Sequence, residues 1–225
     1  MLDEDSGLRQ RQLDELTRRF PAVQPKAAAL ADVVAHAASP ARLPLINLAL
    51  PVLRQLRPGE YRQFSETLTW LIESDRQIDL FEFALQKIIR RHLEPQFGQT
   101  RRAVVQFYSI KPLLPDCAAV LSALARVGSS TEPDIAAAFQ KGAPYLRSPE
   151  GDIRLLPRDQ CGLDTIDAAL DRLTQAAPQI KKNVLEACIQ VAGADGVMQE
   201  HEAELLRAFA DTLDCPIPPY VPVEA

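Results

Sequence analysis

Residues 78–93 read IDLFEFALQKIIRRHL, and this stretch decides the fold class. Its apolar side chains recur at steps of three and four residues, which is the spacing of one face of a helix: Leu80, Phe81, Ala84, Leu85, Ile88 and Ile89. The same spacing recurs along most of the chain, while strand-like alternation is almost absent. We therefore predict an all-α fold, a helical bundle of about 9 to 11 helices.

Composition limits the classes of function. The 225 residues are 47% hydrophobic and 24% charged, enough apolar material for a core, and the net charge of −5 argues against nucleic acid as a partner. The longest apolar run, residues 43–53, is interrupted by two prolines and is too short to span a bilayer, and the acidic start is unlike a signal peptide. We expect a cytoplasmic protein. The chain has only 9 glycines and no phosphate-binding loop motif, so the sequence identifies no small-molecule substrate.

Prolines and polar turns divide the helical pattern into segments. Pro51 is expected to kink or divide the third segment, because proline removes a backbone hydrogen bond, and residues 147–162 are predicted to be a loop. The four cysteines form no C-x-x-C pair and are predicted to be small buried apolar side chains. The predicted helical segments are 8–20, 26–38, 43–56, 58–72, 78–93, 112–127, 132–146, 163–175, 178–193 and 199–213.

Two acidic turns resemble each other. Residues 70–85, WLIESDRQIDLFEFAL, align with residues 190–205, QVAGADGVMQEHEAEL. In each, an apolar helix ends at an Asp, a tight turn follows, and a Glu lies seven positions after that Asp: Asp75 with Glu82, and Asp195 with Glu202. This arrangement predicts two pseudo-repeated helix-turn-helix units, in which the two carboxylates of a pair can approach across the turn.

Helix capping and cation binding both explain these acids. Asp79 and Glu82 have the spacing of a capping box, which needs no ligand. Capping explains the second copy less well, since Gln199 is a poor N-cap residue and three glutamates crowd one turn. Two carboxylates held close together repel unless a cation or a donor lies between them. Four such oxygen ligands, Asp75, Glu82, Asp195 and Glu202, would favour Ca²⁺ or Mg²⁺.

The doubled turn resembles the TerB-like helical domain of the tellurite-resistance type, on residues 70–82 (WLIESDRQIDLFE) and 194–208 (ADGVMQEHEAELLRA). More closely, residues 44–93 followed by 173–219, ending in LDCPIPP, look like the C-terminal region of bacterial membrane zinc metallopeptidases related to HtpX and to CAAX prenyl proteases. The resemblance covers roughly residues 40–219. It implies a parent protein whose zinc site is an HExxH helix beside transmembrane segments, upstream of the region seen here.

This chain departs from the peptidase motif at its decisive position. His201–Leu205 begins like HExxH, but the fifth residue is Leu, so the second imidazole that would bind zinc is missing. The resemblance therefore implies a non-catalytic binding or regulatory domain, with zinc only in the missing peptidase part. Its partner would be a protein or the parent's peptidase and membrane part, which would tether it to the inner membrane. The alternatives are a free-standing TerB-like metal-binding stress protein and a hydrolase using the four acids as metal ligands.

The expected domain organisation follows from the same resemblance. Residues 1–39 are predicted to be N-terminal helices or a linker to a missing upstream part, residues 40–219 a TerB-like domain, and residues 220–225 a tail. Within that domain, 44–93 and 165–213 are the pseudo-repeats, packed against each other, and the joining helices of 111–146 form a cap or insertion.

Overall fold

The helices predicted from periodicity are present. The computed structural model describes residues 5–35, 42–74, 80–97, 104–129, 131–146, 151–196 and 198–215, which hold ten α-helices and no strand, so the all-α prediction is confirmed. The helices are α1 Ser6–Arg19, α2 Gln24–Ala35, α3 Arg42–Leu53, α4 Pro58–Glu73, α5 Leu80–Leu93, α6 Leu114–Gly128, α7 Glu132–Gly142, α8 Leu163–Thr174, α9 Pro178–Ala192 and α10 Glu200–Thr212.

Most helix ends lie within a few residues of the predicted ones. Helix α3 is a difference, because it continues through Pro51 and ends at Leu53 instead of being divided at the proline. A proline in the last turn removes only one hydrogen bond, and the Arg54 N–H still donates to the Leu50 carbonyl at 3.0 Å. In the predicted 147–162 loop, residues 151–157 are non-helical and Arg158–Gln160 form one 3₁₀ turn. The predicted tail, 220–225, lies outside the described residues.

The chain divides into two compact units, Met1–Thr100 (unit 1) and Arg101–Ala225 (unit 2). This division differs from the predicted boundary between residues 39 and 40. It also places the two predicted pseudo-repeats in different units, 44–93 in unit 1 and 165–213 in unit 2, so their packing against each other stays a prediction. None of the helices in the described ranges has the length and hydropathy needed to cross a bilayer.

Unit 1 has its core among helices α3, α4 and α5. Helix α5 contacts both α3 and α4. Tyr61 of α4 stacks on Phe97, with ring centroids 4.1 Å apart and planes within 5° of parallel. The packed apolar cluster consists of Leu50, Tyr61, Leu68, Ile72, Ile89 and Leu93.

Helix α1 belongs to this unit and is not a separate linker. The buried Gln12 side chain donates from Nε2 to Ser74 Oγ at 2.8 Å, and Gln63 Nε2 of α4 donates to the Arg19 carbonyl at 2.8 Å. Leu8 and Leu16 lie on the same buried face of α1. Polar contacts to α4 and its C-cap residue therefore hold the middle and the C-terminal end of α1. Of the two predicted alternatives for residues 1–39, α1 fits N-terminal helices, and a connection to an upstream part stays a prediction.

Unit 2 is built around α6. All nine residues from Cys117 to Ala125 are buried, and α6 contacts α7, α8, α9 and α10. A helix that is apolar on all sides needs neighbours on all sides, so α6 forms the centre of the unit. The predicted joining helices of 111–146 thus include the central helix of unit 2, and their role as a cap or insertion between the pseudo-repeats stays a prediction.

Close packing of α7 on α9 needs a small residue. A Cβ on Gly142 would lie 2.6 Å from the Ala187 carbonyl oxygen and 2.6 Å from Val191 Cγ2.

The non-helical segment 104–107 is hydrogen-bonded to the connection between α8 and α9. The Gln106 N–H donates to the Gln175 carbonyl at 2.8 Å, and the Ala177 N–H donates to the Phe107 carbonyl at 2.8 Å.

Candidate functional site

The second acidic turn, residues 193–199, joins α9 to α10 in unit 2. The Gly193 N–H donates to the Ile189 carbonyl at 3.0 Å, which closes α9, and Gly196 has a φ of +90°, a conformation that a residue with a side chain rarely adopts. Lys141 of α7 donates from Nζ to the Ala194 carbonyl. The turn is thus fixed from α7 as well as from its own helix.

Glu202 stabilises the start of α10. Its Oε2 accepts the Gln199 backbone N–H at 2.8 Å, so the carboxylate three residues into the helix satisfies a donor at the helix end. The side chain is only 3% exposed. Gln199 does occupy the N-cap position, which the sequence disfavoured, and its backbone N–H pairs with Glu202 in a capping box.

Gly128 makes room for this carboxylate. A Cβ on Gly128, the last residue of α6, would lie 2.0 Å from Glu202 Oε1. Any side chain at position 128 would therefore displace the Glu202 carboxylate. This pairing was not predicted, since 74 positions separate the two residues (202 − 128) and only a glycine at a helix end could have suggested a close approach.

The four predicted ligands are placed differently from one another. Asp195 is exposed on the turn before α10, and Glu202 is buried. Glu82 is half-buried in the first turn of α5, in unit 1, and Asp75 lies outside the described residues. Within the described ranges, no group of three or more His, Cys, Asp or Glu side chains is placed to hold a metal ion. The four-ligand cation site stays a prediction.

The first acidic turn is described only at its two ends. Asp79, the predicted N-cap residue of α5, is outside the described residues together with Asp75. On the described side, Gln86 Nε2 of α5 donates to Thr69 Oγ1 of α4 at 2.6 Å. Ser74, which closes α4, donates from Oγ to the Leu71 carbonyl at 2.7 Å. Side-chain hydrogen bonds therefore fix the pair of helices that flank this turn.

The thiols have the chemistry of core residues. Cys117 and Cys188 are buried, and burial raises the pKa of both, that of Cys188 to about 12. Since the thiolate is the form that binds metals and attacks electrophiles, these two are inert at neutral pH. Cys161 and Cys215 are half-buried, so the prediction of four buried cysteines holds for two of them.

The HExxH-like run also ends in the core. Leu205, at the position of the second imidazole, is 1% exposed. It belongs to the apolar face of α10 that unit 2 buries together with Leu206 and Phe209.

Comparison with known proteins gives one family. The sequence model of the family described as "Tellurite resistance protein TerB" matches residues 156–217. The matched segment contains α8, α9, α10 and the second acidic turn, all in unit 2. No curated protein and no solved structure matches the chain significantly. The TerB part of the sequence resemblance is confirmed for this segment, and unit 1 lies outside the match.

The contact between Glu202 and Gly128 predicts coupled effects on stability. We expect Gly128→Ala to lower the free energy of unfolding by about 1–3 kcal/mol, because the new methyl group displaces the carboxylate. In a Glu202→Ala background the same change should cost less than half as much, since the obstructing side chain is gone. Urea unfolding followed by far-UV circular dichroism on the four variants of the cycle measures this coupling.

Gly162→Ala is the matched control for that cycle. Nothing lies within 4 Å of a Cβ at this position, and Gly162 is also in unit 2. Its cost should be the same with Glu202 and with Ala at position 202. An equal cost of Gly128→Ala in both backgrounds would contradict the packing of the carboxylate against Gly128.

Proposed function

We propose that this chain is a non-catalytic binding and regulatory module built on a TerB-like domain. The observation that carries the proposal is the similarity of residues 156–217 to the TerB family, which falls on three helices packed around α6. The module would act through its surface on a protein partner. On the sequence resemblance of residues 40–219, that partner would be the peptidase part of a membrane-bound zinc metallopeptidase, to which this chain would be joined.

Charged side chains around the second acidic turn support a surface role. Glu202 serves the start of α10 and Lys141 holds the turn, so both are committed to structure. Asp195 and Gly196 are exposed at the tip between them. An exposed tip that Lys141 holds from α7 is suited to recognition by a partner, because an anchored turn loses less conformational entropy when it binds.

The DNA upstream of the coding sequence tests the peptidase assignment most cheaply. We expect an in-frame HExxH helix flanked by transmembrane segments. The purified chain supplied with Zn²⁺ should leave casein intact, because the zinc ligands would belong to the upstream part. An unrelated upstream sequence would contradict the parent assignment, and casein cleavage by the purified chain would contradict the non-catalytic role.

The second candidate is a free-standing metal-binding stress protein. The match to a tellurite-resistance family favours this candidate, and so does the Asp195 carboxylate, which is exposed on the turn that precedes α10. The candidate ligands are Asp75, Glu82, Asp195 and Glu202, and oxygen ligands select Ca²⁺ or Mg²⁺ over Zn²⁺. In this case the cation, and not a peptidase, would be the partner of the module.

Calorimetric titration with Ca²⁺, Mg²⁺ and Zn²⁺ separates the two candidates. If the acids bind a cation, Asp195→Asn should weaken binding at least about tenfold, since it removes a charged oxygen ligand from an exposed position. Asp152→Asn, which changes another exposed acid of unit 2, is the control and should leave binding unchanged. Heat that both variants retain equally, or no heat with any of the ions, would contradict the metal-binding candidate.

A further inference from the structure

Helix α3 in unit 1 is apolar on two faces. One face packs into the core through Ile46, Leu50 and Leu53. The other is exposed to solvent at Leu48 and Val52, which are 75% and 66% exposed, and at Leu45, which is 41% exposed. Positions 45, 48 and 52 are spaced as one helical stripe, so the exposed residues form a continuous apolar surface, here called the α3 stripe.

The stretch of sequence that contains the α3 stripe is basic. From Val33 to Gly59 the sequence has no Asp or Glu, although the chain as a whole has a net charge of −5. Arg42 is the first residue of α3, and Arg54 and Arg57 follow its last residue. The Arg54 and Arg57 side chains are exposed. Arginines therefore lie near both ends of α3 in the sequence, and the first acid after the helix is Glu60, whose carboxylate accepts the Arg57 backbone N–H at 2.7 Å.

We propose that the α3 stripe binds the surface of an anionic lipid bilayer, with α3 lying in the plane of the interface. The stripe would enter the boundary of the acyl chains, and the arginines would meet the phosphate head groups. A helix of 12 residues is about 18 Å long, too short to span the hydrocarbon core.

Charge distinguishes a bilayer from a protein helix as the occupant. An apolar surface with exposed arginines close to its end complements an apolar layer under an anionic layer, which is the structure of an anionic leaflet. A docking helix from another protein, or a second copy of this chain, would leave the arginines unmatched unless it brought acids to both ends. The inference is independent of the proposed function, since α3 lies in unit 1, outside the segment similar to TerB.

Co-sedimentation of the full chain with vesicles tests this inference. We expect binding to vesicles of equal parts phosphatidylglycerol and phosphatidylcholine, and much weaker binding to phosphatidylcholine alone. Leu48→Asp and Val52→Asp should each weaken binding about tenfold or more, because an exposed apolar side chain no longer enters the interface. Removing charge with Arg54→Gln or Arg57→Gln should weaken it about fivefold each, and added salt should have the same direction of effect.

Val104→Asp is the matched control, because Val104 is 65% exposed and lies in unit 2. It should bind vesicles like the unchanged chain. All the changed side chains are exposed, and far-UV circular dichroism verifies that each variant keeps its helices.

Two results would overturn the inference. One is the absence of the predicted vesicle binding: the unchanged chain stays in the supernatant with anionic vesicles, or the Val52→Asp and Val104→Asp variants bind these vesicles equally well. The other is a dimer in analytical ultracentrifugation that Leu48→Asp dissociates, without vesicle binding, which would assign the α3 stripe to a contact between copies. Neither result affects the cation titration, since Asp195 lies in the other unit.

Discussion

The burial of α6 on all sides is the constraint on which unit 2 depends. Residues 117–125 are apolar or small throughout, and every one of them is buried. Such a helix is stable in water only when other helices cover its whole surface. Helices α7, α8, α9 and α10 provide that cover. Small residues on α6, such as Ala119 and Ala123, let the neighbouring backbones approach, and Gly142 does the same where α7 meets α9.

This constraint explains how the TerB-like segment acquires its shape. The segment contributes three of the four helices that cover α6, and α6 itself lies outside the match. At the end of α6, Gly128 leaves the space that the Glu202 carboxylate fills, while the same carboxylate caps α10. The second acidic turn is therefore held by contacts with residues from outside the segment, Gly128 and Lys141, as much as by its own sequence.

Local patterns in the sequence predicted the helices. The features that were not predicted depend on contacts between residues that are distant in sequence. Apolar spacing gave the bounds of α5 and α9 to within two residues, because each helix carries its own periodic face. The central position of α6 was missed, since a uniformly apolar segment looks the same at the centre of a unit as on a covered edge. Capping was one of the two predicted explanations for Glu202, and its packing against Gly128 was missed. Its capping of α10 is local, but its burial depends on Gly128, which is distant in sequence. The division into two units depends on which helix faces pack against each other, and the periodicity of each helix does not specify its partner.

The central role of α6 is tested most directly by the thermal unfolding of two fragments, residues 101–225 and residues 156–217, followed with far-UV circular dichroism. We expect 101–225 to unfold in one cooperative transition, because it contains α6 and every helix that covers it. We expect 156–217 to show no cooperative transition, since it lacks α6, against which its buried faces pack. A fragment 156–217 that unfolds cooperatively, with a midpoint close to that of 101–225, would contradict the central role of α6.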